Sequence, residues 1–459
     1  MKIAKIHLKN FRCFEDFEIE FNTEQRIVSL DSQQKTVGPL TVIVAKNGNG
    51  KTTVLDALRI VFGPFTSVFN YPPNQYISKS DIRIYTPEGT IQSKLMTPVE
   101  IWAQATFNQQ SCSWGCVLPT ENARTSIKEA QQLSKWGNEL KNSIDSSKDK
   151  DHDIVLPLIA YYGTGRHWND YLKENNEKPL LYSRYYGYNY ALGTDTNFKA
   201  TSLWLMQAIQ EEISEQVYNI KKDEIMIGQL NAIRKALDIL LKPEGYIAKL
   251  HVNQKYKNLA VLFQNSDNET ISIPVSLLSD GVRAIFSIIS DIALRCAKLN
   301  PGLGKEACEK TEGVVMIDEI DMHLHPSWQQ KILDTLQRAF PKIQFIVTTH
   351  SPQVVSSVPK ECVRIIDDGK IVPFFTQTQG VESQDILAQI FGTNPAPQDD
   401  DYVKKLNQYA QLAAYGQTNE KLYQELAEHF GSNYLPLLQI EIQRKFVIRK
   451  KQEKKNEKI

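Results

Sequence analysis

Val42-Ile43-Val44-Ala45-Lys46-Asn47-Gly48-Asn49-Gly50-Lys51-Thr52-Thr53-Val54-Leu55-Asp56-Ala57-Leu58 is the stretch whose reading decides the fold. A β-branched apolar run passes through a Gly/Asn turn into Lys-Thr and continues with apolar residues at helical spacing. The pattern predicts a strand, a phosphate-binding loop and a helix. Successive backbone N–H groups from Asn47 to Thr53 and the helix N-terminus attract anions. The Lys51 ammonium reaches toward β- and γ-phosphates, and the Thr52 hydroxyl is a ligand for Mg²⁺. The pattern asks for Gly at its first position, where this chain has Ala45; Gly48, Gly50, Lys51 and Thr52 are in place.

Working outward, 459 residues exceed one ordinary core and suggest about two or three lobes. An apolar content of 41% is ample for globular folding. Lys+Arg and Asp+Glu balance at 53 each, so net charge gives no argument for a nucleic-acid partner. No window approaches about 18 uninterrupted apolar residues, which predicts no membrane span and a cytoplasmic protein. Six scattered cysteines, Cys13, Cys112, Cys116, Cys296, Cys308 and Cys362, fit reduced thiols. Only Cys112 and Cys116 are close neighbours, with no second pair to complete a tetrahedral zinc site.

Residues 3–30 alternate apolar and polar positions and predict short strands ahead of the phosphate loop. Gly63 to Pro98 is rich in Pro, Gly, Tyr and Ser and reads as loop with short elements, after which Val99–Thr106 resumes strand alternation. A polar stretch from Glu121 to Asp153 reads as a helix and a solvated linker. The apolar run Ile154–Tyr162 is a buried strand ending at Gly163-Thr164-Gly165-Arg166, an edge where ligands often sit. Helical faces follow at Leu203, Met206, Ile209, Ile213, Val217 and Ile220, and at Leu230, Ile233, Leu237 and Leu240. Strands are expected around 246–252, 259–263 and 270–275, with a hairpin turn at 265–268. Beyond Gly380 the chain is helical and polar, hinged at Asn394-Pro395-Ala396-Pro397, with eight Lys/Arg against two Glu from Arg444 onward. The expected segments are 1–118 (phosphate-loop lobe), 119–245 (linker, buried strand and helical insertion), 246–393 (second lobe) and 394–459 (helical extension).

Gly313-Val314-Val315-Met316-Ile317-Asp318-Glu319 is an apolar strand delivering two carboxylates at its C-terminal end. With a phosphate loop in the same chain, Asp318 fits a Mg²⁺ holder and Glu319 the group that positions or deprotonates the attacking water. Without that loop, a strand and an acidic turn suffice. A further strand, Ile343–Thr348, brings His350 to the same edge, suited to sensing the γ-phosphate. Ser279-Asp280-Gly281 opens an amphipathic helix and offers a hydroxyl and free N–H groups to an anion, or serves as an ordinary cap.

With these residues together, the chain resembles the ABC-type ATPases of the RecF, SMC and OLD group over residues 1 to about 375. Leu8-Lys9-Asn10-Phe11-Arg12 resembles the group's opening strand, Ser279-Asp280-Gly281 its signature loop and His350 its switch histidine. The resemblance implies an α/β head with a helical insertion and a C-terminal helical extension, using ATP and Mg²⁺. It implies Glu319 and His350 as catalytic residues and Thr52, Asp318 and Gln104, the candidate loop glutamine, at the metal. Arg12 joins Asn47–Thr53 at the nucleotide. In that group the signature loop closes over ATP bound by another subunit, so the resemblance implies a homodimer or higher homo-oligomer. Asp321-Met322-His323-Leu324-His325-Pro326 resembles the seam-crossing segment, although His323 and His325 alone suggest a metal pair or a turn.

Leu324–Gln330, Ala160–Arg166 and Gly380–Ser383 most closely resemble anti-phage ATPase subunits, the Septu ATPase and its retron-associated relatives. This implies an ATP-gated sensor that controls a separate HNH endonuclease, with DNA reached through the complex. OLD relatives carry a metal-dependent nuclease, whose chemistry needs a strand Glu and paired Asp residues. Asp367-Asp368 and Asp399-Asp400-Asp401 stand in turn and linker contexts, so no nuclease centre is expected. The alternative is a RecF- or SMC-like DNA repair or maintenance ATPase acting directly on DNA. It requires a basic groove, whereas basic residues cluster only in the Arg444–Lys458 tail.

Overall fold

The structure is a computed structural model that describes residues 1–30, 33–71, 76–87, 91–107, 110–146, 154–165, 183–193, 198–218, 223–244, 246–253, 258–264, 269–393 and 400–456. The expected hairpin turn at 265–268, the hinge at 394–397 and Arg166 lie outside the described residues. The chain divides into two compact units, Met1–Ser383 and Gln384–Ile459.

A six-stranded sheet organises the first unit, in the order Leu158–Tyr162, Gly313–Ile317, Ile343–Thr349, Leu40–Ala45, Val363–Asp367 and Lys370–Val372. The first five strands are parallel and the last is antiparallel. The central strands read as continuous apolar runs because they are buried along their whole length. Parallel strands end on one edge, and that edge receives the phosphate loop, Asp318-Glu319 and His350 together. The segments expected at 1–118, 119–245 and 246–393 each contribute strands to this one sheet.

Helix α1 (Lys51–Val68) carries the phosphate loop's apolar face and corrects one expectation, because it runs straight through Gly63-Pro64. Pro64 donates no N–H to the carbonyl four residues back, Ile60. The neighbouring antiparallel sheet supplies donors there: Cys116 Sγ lies 3.9 Å from Ile60 O, and Trp114 Nε1 donates to Val61 O at 2.7 Å. Both come from a strand, Gln110–Leu118, that the sequence pass did not assign. It pairs with Val99–Phe107, which pairs with Lys2–Phe11 and then Phe14–Glu20, completing a four-stranded antiparallel sheet.

Helix α2 (Gln131–Ser146) follows that sheet, and α4 (Glu224–Leu241) buries the expected face at Leu230, Ile233, Leu237 and Leu240. On α3 (Phe198–Tyr218), by contrast, Ile209 is buried but Leu203, Ile213 and Val217 are exposed, the buried side being Trp204, Leu205 and Ala208, and Ile220 lies outside the described residues. A three-stranded antiparallel sheet, Tyr246–Asn253, Asn258–Gln264 and Thr270–Pro274, leads into α5 (Asp280–Leu299), which is buried from Ile285 to its end. The second unit holds helices Asp401–Ala414, Glu420–Phe430 and Leu435–Asn456 around Tyr409, Leu422, Leu426 and Leu437. No helix among the described residues is long and apolar enough to cross a membrane.

Candidate functional site

The strand Leu40–Ala45 delivers the chain to a tight turn in which Gly48 and Gly50 have φ of 82° and 91°. Gly50 caps α1 with no side-chain cap bond among the described residues, which leaves the first-turn N–H groups as anion donors. A Cβ on Gly50 would lie 2.4 Å from the Phe14 ring and 2.8 Å from Cys13 Sγ, so only glycine fits. Lys51 Nζ donates to Ala45 O at 2.7 Å, lying across the loop's concavity. Burial lowers the Lys51 pKa, opposed by the negative charges of Glu319, Asp318 and Asp321. Those carboxylates therefore belong to the same electrostatic site as the loop.

Asp318 is 1% exposed and receives two hydroxyls: Thr52 Oγ1 donates to Oδ2 at 2.9 Å and Thr348 Oγ1 to Oδ1 at 2.5 Å. Thr348 Oγ1 also accepts from the Glu319 backbone N–H at 2.8 Å. One hydroxyl thus fixes the Asp318 side chain and the backbone of Glu319, which sits at φ 46° in the left-handed region. Asp321 Oδ1 accepts from Thr349 Oγ1 at 2.5 Å and the His350 N–H at 3.3 Å, tying the carboxylate segment to the histidine turn. The His350 pKa is lowered, first by burial and then by the Lys51 charge, against the raising effect of Asp321, Glu319 and Asp318. Ser351 caps the following turn and donates to Gln329 Oε1 at 2.7 Å.

Lys51, Thr52, Asp318, Glu319 and His350 are therefore gathered at one sheet edge. Asn47, Gly48, Asn49 and Thr53 belong to the same loop and helix start. Arg12 lies beside it, its Nη1 bonded to Asp56 Oδ2 at 2.6 Å and its Nε to Asp81 Oδ1 at 2.8 Å. Both bonds hold the guanidinium to protein carboxylates. Gln104 stands on the antiparallel sheet and donates to Ser111 Oγ at 3.0 Å, so the structure does not join it to Thr52 and Asp318. Ser279 occupies the cap position of α5, exposed and with no cap bond, while Asp280 pairs with Arg283 at 2.5 Å. Gly281 passes against the seam-like segment: a Cβ there would lie 3.3 Å from His323 O. Within one chain no hydrogen bond or ion pair among the described residues links Ser279–Gly281 to the phosphate loop. His325 caps the short turn of helix Pro326–Gln329 through Nδ1.

Sequence reasoning missed Thr348, Thr349 and the side-chain role of Asp321. The signal was a Thr-Thr pair directly before His350, which reads as β-branched strand filler when taken alone.

Residues 1–355 match the AAA ATPase domain family. The "Retron Ec83 probable ATPase" of Escherichia coli is 26% identical, the alignment covering 96% of this chain and 86% of that protein. A second retron ATPase, from Vibrio cholerae, is 26% identical over 94% of this chain and 88% of its own length. The Septu protein PtuA of Bacillus mycoides is 28% identical over 54% of this chain and 35% of that protein. Among solved structures, the SMC head domain from Thermotoga maritima has a TM-score of 0.40 and 14% identity, covering 82% of this chain and all of that one. The chain belongs to the AAA ATPase domain family.

Proposed function

We propose that this chain binds and hydrolyses ATP as the regulatory subunit of a bacterial anti-phage defence complex, and that its ATP-bound dimer restrains a separate HNH-type nuclease. The observation that carries the ATPase reading is the Thr52–Asp318–Thr348 chain of hydrogen bonds, with Lys51, Glu319 and His350 at the same edge. The loop from Asn47 to Thr53 binds phosphate oxygens through backbone N–H groups, and Lys51 neutralises the terminal phosphates. Thr52 Oγ1 and Asp318 Oδ2 are hard oxygen donors 2.9 Å apart, a set that suits Mg²⁺, which binds one or two carboxylates and completes its shell with phosphates and water. Bound there, the ion supplies charge neutralisation at the phosphates. Glu319 accepts a proton from the attacking water, and His350 serves the γ-phosphate as a hydrogen-bonding partner.

The regulatory part rests on the kinship with retron ATPases and Septu PtuA. Exposed Ser279 and half-buried Gly281 reach the γ-phosphate of a second copy, so ATP favours a closed dimer and its hydrolysis removes that contact.

The test is mass by light scattering of the chain alone and with its neighbouring open reading frame, with and without ATP, and after Lys51→Ala. The expected result is co-purification with an HNH protein in an assembly that depends on nucleotide and is lost in Lys51→Ala. A bare ATPase that gains activity only on adding DNA contradicts it and supports a repair clamp.

A further inference from the structure

The nucleotide edge has two sides. On one, Lys51 meets Asp318, Glu319, Asp321 and His350, the groups suited to terminal phosphates. The other side is set by strand order: Val363–Asp367 lies beside Leu40–Ala45, away from Ile343–Thr349 and Gly313–Ile317. Its last residue, Asp367, touches the phosphate loop directly, accepting from Asn49 Nδ2 at 3.1 Å. Asp368 and Gly369, at φ 46° and 69°, then form a two-residue hairpin turn of the Asp-Gly kind into Lys370–Val372. A third turn, at Arg12-Cys13, closes the corner. Phe14 at its end lies 3.9 Å from where a Cβ of Gly369 would stand and 2.4 Å from that of Gly50. Phosphate loop, Asp-Gly hairpin and first-sheet turn thus converge at one place.

With terminal phosphates at Lys51 and its carboxylate side, this corner on the opposite side of the Leu40–Ala45 strand is the place for the sugar in the reading that follows. The Asn49 amide fixes one oxygen of Asp367, and the other meets no donor among the described residues. A carboxylate only accepts hydrogen bonds and repels phosphate, so it suits the hydroxyls of a sugar, as acidic residues do in dinucleotide folds. We propose that Asp367 reads the ribose of the bound nucleotide, accepting a hydrogen bond from its 2′- or 3′-hydroxyl, with Asn49 as the positioning residue. This rests on the nucleotide-binding reading above.

The test is calorimetric binding of ADP, 2′-deoxyADP and 3′-deoxyADP, with Mg²⁺, to the full chain. The native protein is expected to favour ADP over at least one deoxy analogue by about tenfold to a hundredfold, the worth of one hydrogen bond to a carboxylate. Asp367→Ala abolishes that preference and the isosteric Asp367→Asn reduces it, while both still bind ADP and Asp368→Ala retains the preference. Equal binding of all three by the native chain, or an undiminished preference in both Asp367 variants, overturns the assignment. So does a flat deoxy series with a preference for ADP over GDP that Asp367→Ala removes. A native chain that binds none of these nucleotides overturns the nucleotide reading itself.

Discussion

Replacing Thr348 by Val removes one hydroxyl from a fully buried strand position and reaches two residues of the proposed site at once. Its Oγ1 donates to Asp318 Oδ1 at 2.5 Å and accepts from the Glu319 N–H at 2.8 Å. The first is a hydrogen bond to an ion, worth about 1.5–3 kcal/mol, and the second leaves an amide short of its partner at about 1–3 kcal/mol. Valine regains some apolar burial, so the expected net loss of stability is about 3 kcal/mol. The site suffers separately. Asp318 loses the Thr348 hydroxyl and keeps that of Thr52, and Glu319 loses a bond that anchors its left-handed backbone. A misplacement costing about 1.4–2.7 kcal/mol at the transition state slows hydrolysis about tenfold to a hundredfold. Lys51 and the loop amides do not touch Thr348, so ATP affinity changes by less than about threefold, under 0.7 kcal/mol. The assay pairs urea denaturation with single-turnover hydrolysis and equilibrium ATP binding. Thr348→Ser, which keeps the hydroxyl, restores most of the rate. Native hydrolysis by Thr348→Val, or an equal loss in Thr348→Ser, refutes the reasoning.

Two further outcomes follow from the same geometry. Gly50→Ala puts a Cβ against the Phe14 ring and Cys13 Sγ at a φ of 91°, so it lowers stability by about 2 kcal/mol or more and weakens nucleotide binding, read by thermal denaturation and calorimetry. His350, with its pKa lowered by burial and Lys51, titrates below the ordinary histidine value in the nucleotide-free protein. The unfolded chain therefore takes up that proton more readily, and stability is full above the ordinary histidine pKa and lost as pH falls through the folded value. Nucleotide phosphate adds negative charge and moves the midpoint up. Imidazole NMR shifts with and without ADP measure both, and a nucleotide-free midpoint at or above the ordinary value refutes the assignment.

The parts of this protein legible in its sequence are those whose chemistry is local. Phosphate loop, helix start and strand-plus-carboxylate pair each fit in under twenty residues, so Lys51, Thr52, Asp318 and Glu319 declare themselves. What stays hidden is long-range. Thr348 serves Asp318 across thirty positions, and nothing in an apolar strand sets it apart from a packing residue. Gly63-Pro64 reads as a helix stop because the donors that cover the exposed carbonyls, Trp114 and Cys116, come from another sheet. Asp367 looks like turn residue and nothing more until strand order brings it beside Asn49.

The central claim is that Glu319 performs hydrolysis at an ATP site built by Lys51, Thr52 and Asp318. Its most direct test is Glu319→Gln, which keeps the shape of the side chain and removes its basicity, assayed for ATP binding and single-turnover hydrolysis in one preparation. The account predicts affinity within about threefold of native and hydrolysis slowed by at least about a hundredfold. Hydrolysis at the native rate by Glu319→Gln, with ATP bound, would contradict it.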